Sequence, residues 1–369
     1  MKILNVVGAR PNFMKIAPIC RAFRGFNEKN PDSGVETLLV HTGQHYDYNM
    51  SRIFFEDLDI PRPNINLDVG SGSHAEQTAG IMVRFEKVCI KEKPDMIIVV
   101  GDVNSTLACS ITAAKLLIPI SHVEAGLRSN DRTMPEEINR IVTDAISTHL
   151  FTTCLEADEN LKKEGVGQDK IHFVGNVMTD SLYYCLPRAG TSDIKSRLNL
   201  KKDEYVLVTL HRPDNVDDGE VFSGLLSALS KLSKKIKVVF PMHLRSKKMA
   251  TKLGSYKNLK DDKSLRFVEP MGYIDFLSLM KDAKFIITDS GGIQEETTVL
   301  GVPCLTLRDN TERYITVREG TNMLIGKDTG RLLMEADNIL KGNAKKGKIP
   351  ELWDGKTAER IVEIVARNA

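Results

Sequence analysis

The octapeptide Asp289-Ser290-Gly291-Gly292-Ile293-Gln294-Glu295-Glu296 holds the residue types and spacing richest in chemistry along this chain. It follows the apolar run Phe285-Ile286-Ile287-Thr288 and leads into a helical stretch ending near Leu300-Gly301. A helix opened by Ser290, Gly291 and Gly292 leaves its first backbone N–H groups without intrahelical acceptors. Those groups and the positive end of the helix dipole suit a phosphate. Glu296 lies six residues after Ser290, roughly 9 Å along the axis at about 1.5 Å per residue, near the span from a pyrophosphate to a ribose. The segment is therefore expected to take a nucleotide diphosphate, with the Glu296 carboxylate on ribose hydroxyls. A plain strand-to-helix turn, with Ser290 as N-cap and glycines that only let the chain bend, accounts for the same letters. A serine-hydrolase elbow fits less well, because position 288 is Thr where Gly-x-Ser-x-Gly needs glycine.

Other polar residues fall just after short apolar runs. They are Gly8-Ala9-Arg10-Pro11 with Lys15, Gly101-Asp102, Glu124 to Arg128, Pro135-Glu136-Glu137-Ile138-Asn139-Arg140, His211-Arg212, His243 and Arg308 to Arg313. Each has a plain alternative. Asp102 could cap the helix that follows it, Glu136 could only favour a helix N-terminus, His211 could be a satisfied strand-end residue, and Arg10 and Arg313 could be surface ion pairs. Their convergence at strand ends carries the case for a site. No metal site is expected: His41 and His45 are separated by a turn-forming Thr42-Gly43, and no His-Glu-x-x-His occurs. Gly70-Ser71-Gly72-Ser73-His74-Ala75 matches a dinucleotide fingerprint but lacks a βαβ unit. It is expected to be a mobile loop before a helix starting near Glu76.

The elements that must position these groups alternate, short β-branched runs with longer amphipathic segments, as in parallel sheets covered by helices. Strands are expected at 2–7, 36–41, 96–100, 119–123, 148–153 and 170–174, then at 205–210, 236–241, 265–268, 285–288, 303–307 and 323–326. Leu186 to Ser192 reads as a linker, placing a boundary within 176–200. The expected division is 1–180 and 181–355, with a final helix from 356 whose apolar face (Ala358, Ile361, Val362, Ile364, Val365) returns to the first domain. At 369 residues and 41% hydrophobic, the chain suits two α/β domains with a cleft at their strand ends. A formal charge of +2 gives no general case for nucleic acid. The six cysteines form no Cys-x-x-Cys pair and point to reduced thiols in a cytoplasmic protein. The start reads as a first strand, and no apolar run approaches the roughly 18 residues of a membrane span.

Taken together, these motifs resemble the non-hydrolysing UDP-N-acetylglucosamine 2-epimerases over nearly the whole chain. Thr42-Gly43-Gln44-His45, His122 to Arg128 and Thr311-Glu312-Arg313 belong to the same set. The resemblance implies two Rossmann-like doubly wound domains facing a central cleft, as in B-type glycosyltransferases, and a homodimer serving cell-surface glycans. It implies interconversion of UDP-GlcNAc and UDP-ManNAc without a cofactor, through elimination of UDP to a 2-acetamidoglucal and re-addition. It assigns Asp102, Glu124 and Glu136 to the acid/base group and His211 to the leaving phosphate. Arg10, Lys15, Ser290, Gly291, Gly292, Glu296 and Arg313 would hold UDP, with Phe276 near the uracil. It also implies a regulatory substrate position at Gln44 and His243, but the arginine such members take from the loop near 70 has no counterpart in Gly70–His74. The second arginine after His-Arg is Pro213 here. A glycosyltransferase of the same fold, a hydrolysing epimerase and a non-catalytic UDP-sugar sensor are the alternatives.

Overall fold

The structure, a computed structural model, describes residues 1–31, 34–43, 55–254 and 264–367. The chain divides into two compact units. Unit 1 is Met1–Tyr184 with Glu351–Ala369, and unit 2 is Cys185–Pro350.

In unit 1 the strands are β1 (Lys2–Val7), β2 (Glu36–His41), β3 (Ile65–Asn66), β4 (Met96–Val100), β5 (Ile120–Ala125), β6 (His149–Thr152) and β7 (Ile171–Phe173). They lie in the order β3-β2-β1-β4-β5-β6-β7, and every pairing is parallel. All residues of β4 and β5 are buried, as a parallel sheet covered on both faces requires. Its helices are α1 (Arg10–Lys29), α2 (His74–Glu92), α3 (Asn104–Lys115), α4 (Pro135–Ile146) and α5 (Leu155–Lys163), followed by α6 (Val177–Gly190), whose residues from Cys185 onward belong to unit 2. Leu4, Val6, Val40, Ile81, Phe85, Ile97 and Val99 build one face of its core.

Unit 2 runs α7 (Ile194–Arg197), β8 (Tyr205–Thr209), α8 (Pro213–Val216), α9 (Gly219–Ser233), β9 (Lys237–Pro241), α10 (Leu244–Lys252) and β10 (Leu265–Val268). It continues through α11 (Tyr273–Lys281), β11 (Phe285–Thr288), α12 (Gly291–Leu300), β12 (Cys304–Thr306), α13 (Tyr314–Arg318), β13 (Asn322–Leu324) and α14 (Thr329–Leu340). The sheet order is β10-β9-β8-β11-β12-β13, again all parallel. Val206, Val208, Phe222, Leu225, Phe240 and Phe285 are fully or almost fully buried in its core, each such side chain contributing roughly 1.5–3 kcal/mol by removal from water. This is the doubly wound α/β class read from the sequence.

The chain then returns to unit 1. Trp353 is buried and donates its Nε1–H to Thr153 O at 2.8 Å. Helix α15 (Thr357–Arg367) packs on α1 through buried Ala358, Ile361, Val362 and Val365. Its first turn is capped from a distance: Asp180 of α6 accepts the N–H groups of Thr357 and Ala358 at 3.2 and 2.7 Å.

Three local expectations are corrected. β3 is an additional two-residue edge strand, too short for any periodic pattern. Helix α2 begins at His74, earlier than the residue near Glu76 where the sequence placed it. Ser73 and Glu76 form a reciprocal capping box, Glu76 N–H to Ser73 Oγ at 3.2 Å and Ser73 N–H to Glu76 Oε2 at 2.9 Å. Residues 186–190, expected in a linker, form the last turn of α6 with Pro187 inside it.

Each sheet reverses its winding once. The reversal falls between β1 and β4 in unit 1, and between β8 and β11 in unit 2. Strand ends at such a reversal open a crevice where α/β sheets hold ligands.

Candidate active site

In unit 1, β1 runs into α1 at Gly8-Ala9, and β4 ends at Gly101-Asp102. The two strand ends are tied together. Asn12 accepts Ala9 N–H at 3.2 Å and donates to Val100 O at 2.7 Å. Pro11 sits in the first turn of α1, where its missing N–H costs nothing. One turn on, Lys15 points back and meets Glu124 Oε2 at 2.5 Å, both side chains almost wholly buried. Gly101 has φ +67°, and a Cβ there would lie 2.6 Å from Lys15 Nζ. Glycine at 101 is thus demanded twice, by backbone conformation and by the lysine.

Glu124 itself has φ +71° and occupies an irregularity in β5, where the register with β6 shifts between Val123 and Ala125. A left-handed non-glycine residue at a bulge stores strain and re-aims its side chain. Here the carboxylate is re-aimed at Lys15. Neither the positive φ nor the bulge has a signature in the sequence around 124.

Asp102 is the half-exposed member of the group, its carboxylate 2.5 Å from Arg140 Nη1. The helix after it is N-capped by Val103, without a side-chain capping bond, so Asp102 is not the helix cap. Arg140 is buried and also meets Glu137 Oε2 at 2.6 Å. Asn139 of the same helix donates to Asp102 O at 2.8 Å. Within the Pro135 to Arg140 motif Glu137 has no role assigned from sequence, because Glu136 and Glu137 lie four and three residues before Arg140 and spacing alone does not separate them. Burial opposes its ionisation, but Ser129 N–H, Arg140 and Asn130 N–H hold Glu137 below the usual carboxylate range. Its neighbour Glu136 is exposed in the first turn of α4. Arg10 is the first residue of α1, and its side chain lies outside the described residues, as does Gln44.

In unit 2, β8 and β11 pair through Thr209 and Thr288, so His211 and Ser290 leave adjacent strand ends. Asp289 joins them. Its buried carboxylate accepts His211 N–H at 3.0 Å, Arg212 N–H at 2.9 Å and Asn215 Nδ2 at 3.3 Å, with His211 Nδ1 at 3.1 Å. Burial opposes ionisation, but His211 and the two backbone N–H groups hold Asp289 below the usual range. The motif alone assigns Asp289 no role; the structure makes it the group that orients His211. The His211 ring is 44% exposed.

Ser290 is the N-cap of α12, yet its side chain makes no capping hydrogen bond, which removes the support for a merely structural serine. A Cβ on Gly291 would lie 2.6 Å from Arg313 Nη1. Arg313 is buried, 3.0 Å from Glu295 Oε1 and in contact with Glu312, so it is no surface ion pair. Glu296 is buried and accepts the Tyr273 hydroxyl at 2.6 Å. Burial, with Glu295 adding to it and Tyr273 opposing, pushes the Glu296 carboxyl up to about 7. Tyr273 was missed, because its helix α11 meets α12 only through tertiary packing. Phe276, half-buried, lies on α11 one turn beyond it. His243 N-caps α10, its Nδ1 accepting Arg245 N–H at 3.3 Å, and its ring stands 6.1 Å from that of His211. Among the described residues, no cluster of three or more His, Cys, Asp or Glu could hold a metal ion.

Comparisons with known proteins place the chain as a whole. A family model described as UDP-N-acetylglucosamine 2-epimerase matches residues 27–366. A UDP-N-acetylglucosamine 2-epimerase of Methanocaldococcus jannaschii is 43% identical over 99% of both chains. A crystal structure of a Methanocaldococcus jannaschii UDP-GlcNAc 2-epimerase in complex with UDP-GlcNAc and UDP superposes with TM-score 0.90 at 42% identity, covering 100% of each chain. A UDP-2,3-diacetamido-2,3-dideoxy-D-glucuronate 2-epimerase of Pseudomonas aeruginosa is 39% identical over 100% of both chains.

Proposed function

The chain belongs to the UDP-N-acetylglucosamine 2-epimerase family and has its GT-B-like fold; on that premise we propose that it interconverts UDP-GlcNAc and UDP-ManNAc without releasing free sugar. Inverting C2 means removing a weakly acidic C–H proton, so the step needs a placed base and relief of charge on the departing group. A carboxylate of the group Asp102, Glu124 and Glu136 takes the C2 proton as the C1–O bond to UDP breaks, giving 2-acetamidoglucal and UDP. Return of a proton to the opposite face of C2, with re-attack of the UDP oxygen on C1, completes the inversion. The α12 N–H groups receive the pyrophosphate, together with Arg10, Lys15 and Arg313. Glu296 takes the ribose, and Phe276 lies by the uracil. His211, oriented through Nδ1 by Asp289, offers its other nitrogen to the leaving phosphate.

The observation that carries this reading is Asp289. A single buried carboxylate fixes the His211 backbone and ring at the strand end beside the phosphate-type helix start, at the winding reversal of the sheet. The test is incubation of the protein with UDP-GlcNAc in deuterated water, followed by NMR. UDP-ManNAc carrying deuterium at C2, formed without added NAD, is the expected outcome. Free ManNAc as main product would indicate a hydrolysing enzyme, and no turnover would refute the enzyme reading.

A second reading rests on the Pseudomonas aeruginosa relative, whose name specifies a 3-acetamido uronate sugar. Running that UDP-sugar alongside UDP-GlcNAc, and comparing kcat/KM, separates the two substrates. The reading also carries a cytoplasmic homodimer serving cell-surface glycan synthesis. Sedimentation at working concentration tests the dimer.

A further inference from the structure

His122 is fully buried on β5 and touches two acceptors. Its Nδ1 lies 2.6 Å from Asp144 Oδ1, and its Nε2 lies 2.8 Å from Gly101 O. A carbonyl oxygen can only accept, so Nε2 carries a proton. Asp144 has the surroundings of an ionised group: its Oδ2 accepts Gly126 N–H at 3.0 Å and Arg128 Nη2 at 2.7 Å. Burial works against ionisation, but His122, Arg128 and Gly126 N–H hold Asp144 below the usual carboxylate range. The proton on the Nδ1 side therefore also belongs to the imidazole.

From this double demand we infer that His122 is a buried imidazolium acting as a positioning residue for Asp102. This deepens the proposed function and rests on Asp102 as a member of its acid/base group. The Gly101 carbonyl belongs to the peptide unit that leads into Asp102, so the Nε2–H bond fixes the plane from which Asp102 projects. Arg128 bridges Asp144 and Glu164, at 2.7 and 2.6 Å, with Asp144 buried and Glu164 exposed to solvent. Each Asp144 oxygen thus faces a nitrogen that donates to an ionised carboxylate, His122 Nδ1 on one and Arg128 Nη2 on the other. The other charged groups at these strand ends, Lys15 with Glu124 and Arg140 with Asp102 and Glu137, have their own pairings.

Two substitutions separate the two bonds. His122→Gln puts an amide nitrogen near the place of Nε2 and keeps a donor for Gly101. His122→Asn puts it near Nδ1 and keeps only the donor for Asp144. With UDP-GlcNAc, His122→Asn is expected to lose about 10- to 100-fold in kcat with little change in KM, the scale of a misplaced reacting group. His122→Gln is expected to recover most of that loss, and UDP binding stays as in the parent for both. Nitrogen-15 histidine spectra of the unsubstituted protein at pH 7.5 are expected to show a proton on each His122 nitrogen, a readout that stands even if the variants fold poorly. A bare nitrogen in that spectrum, or equal kcat for the two variants, overturns the inference. Absence of turnover in the unsubstituted protein would count against the proposed function and leave the spectrum to decide the charge of His122.

Discussion

In unit 1 the strand ends beside the winding reversal carry ion pairs that are nearly dry, Lys15 with Glu124 and Arg140 with Glu137. In unit 2 the equivalent strand ends carry a bare helix start and a half-exposed histidine held by one aspartate. The scaffolds match in strand parallelism and in where the winding reverses, so the difference lies in the residue types that follow each strand. Unit 1 fixes charge in a low dielectric, where a carboxylate keeps its place and its protonation is set by its partners. Unit 2 keeps positive potential available in backbone N–H groups, which need no counter-ion until an anion arrives. One arrangement suits moving a proton and the other suits holding a diphosphate.

The largest expected effect tests that division of labour. Asp102→Asn and His211→Ala should each lower turnover by about 10²–10⁴-fold, the usual worth of a placed acid or base, while UDP affinity by calorimetry stays within about threefold. A parallel loss of UDP affinity in Asp102→Asn would break the comparison. Next, Lys15→Met strips Glu124 of its closest cation, and about 3–5 kcal/mol of stability should disappear in urea unfolding, the cost of breaking a buried pair. A change below about 1 kcal/mol would show that the pair is not buried in effect.

The third effect concerns pH. Glu296 is pushed up to about 7 from an ordinary 4.5, so its contribution to stability is complete below about 4.5 and fades as pH rises through about 7. The shift corresponds to an order of 3 kcal/mol. Without UDP, the Tm of the parent protein relative to Glu296→Gln should therefore fall between pH 5 and pH 8. Asp180, raised to about 6 by burial, acts with the same sign in unit 1 and cancels in that difference. A flat difference would place the Glu296 carboxylate in water. Smaller still, Gly291→Ala drives a Cβ into Arg313 and should weaken UDP binding about tenfold, or 1.4 kcal/mol. The mildest change is a control in the same unit. Gly224, inside α9 with 3.9 Å to the nearest atom for a Cβ, should gain about 0.4–1 kcal/mol as alanine.

The fold was legible because buried parallel strands are short, continuous and β-branched, and Met96–Val100 and Phe285–Thr288 announce themselves by composition alone. The strand-end positions of Asp102, His211 and Ser290 followed from that. What the sequence hid were relations made only by packing. Tyr273 donates to Glu296 from another helix, Asp289 reaches His211 at the end of the neighbouring strand, and Glu124 turns left-handed at a bulge that no residue type marks. The adjacent pair Glu136-Glu137 could not be told apart by spacing; helix phase sends Glu137 inward to Arg140 and leaves Glu136 outside.

The return of the chain to unit 1 has a consequence for synthesis. Trp353 and α15 complete the packing around Thr153 and Asp180, so unit 1, begun before unit 2, is completed after it. Unit 2, continuous from Cys185 to Pro350, has all its strands before Trp353 and α15 are translated. A message truncated after residue 350 would therefore encode a full second unit and a first one lacking its closing helix, with the α1 surface that α15 covers left to water.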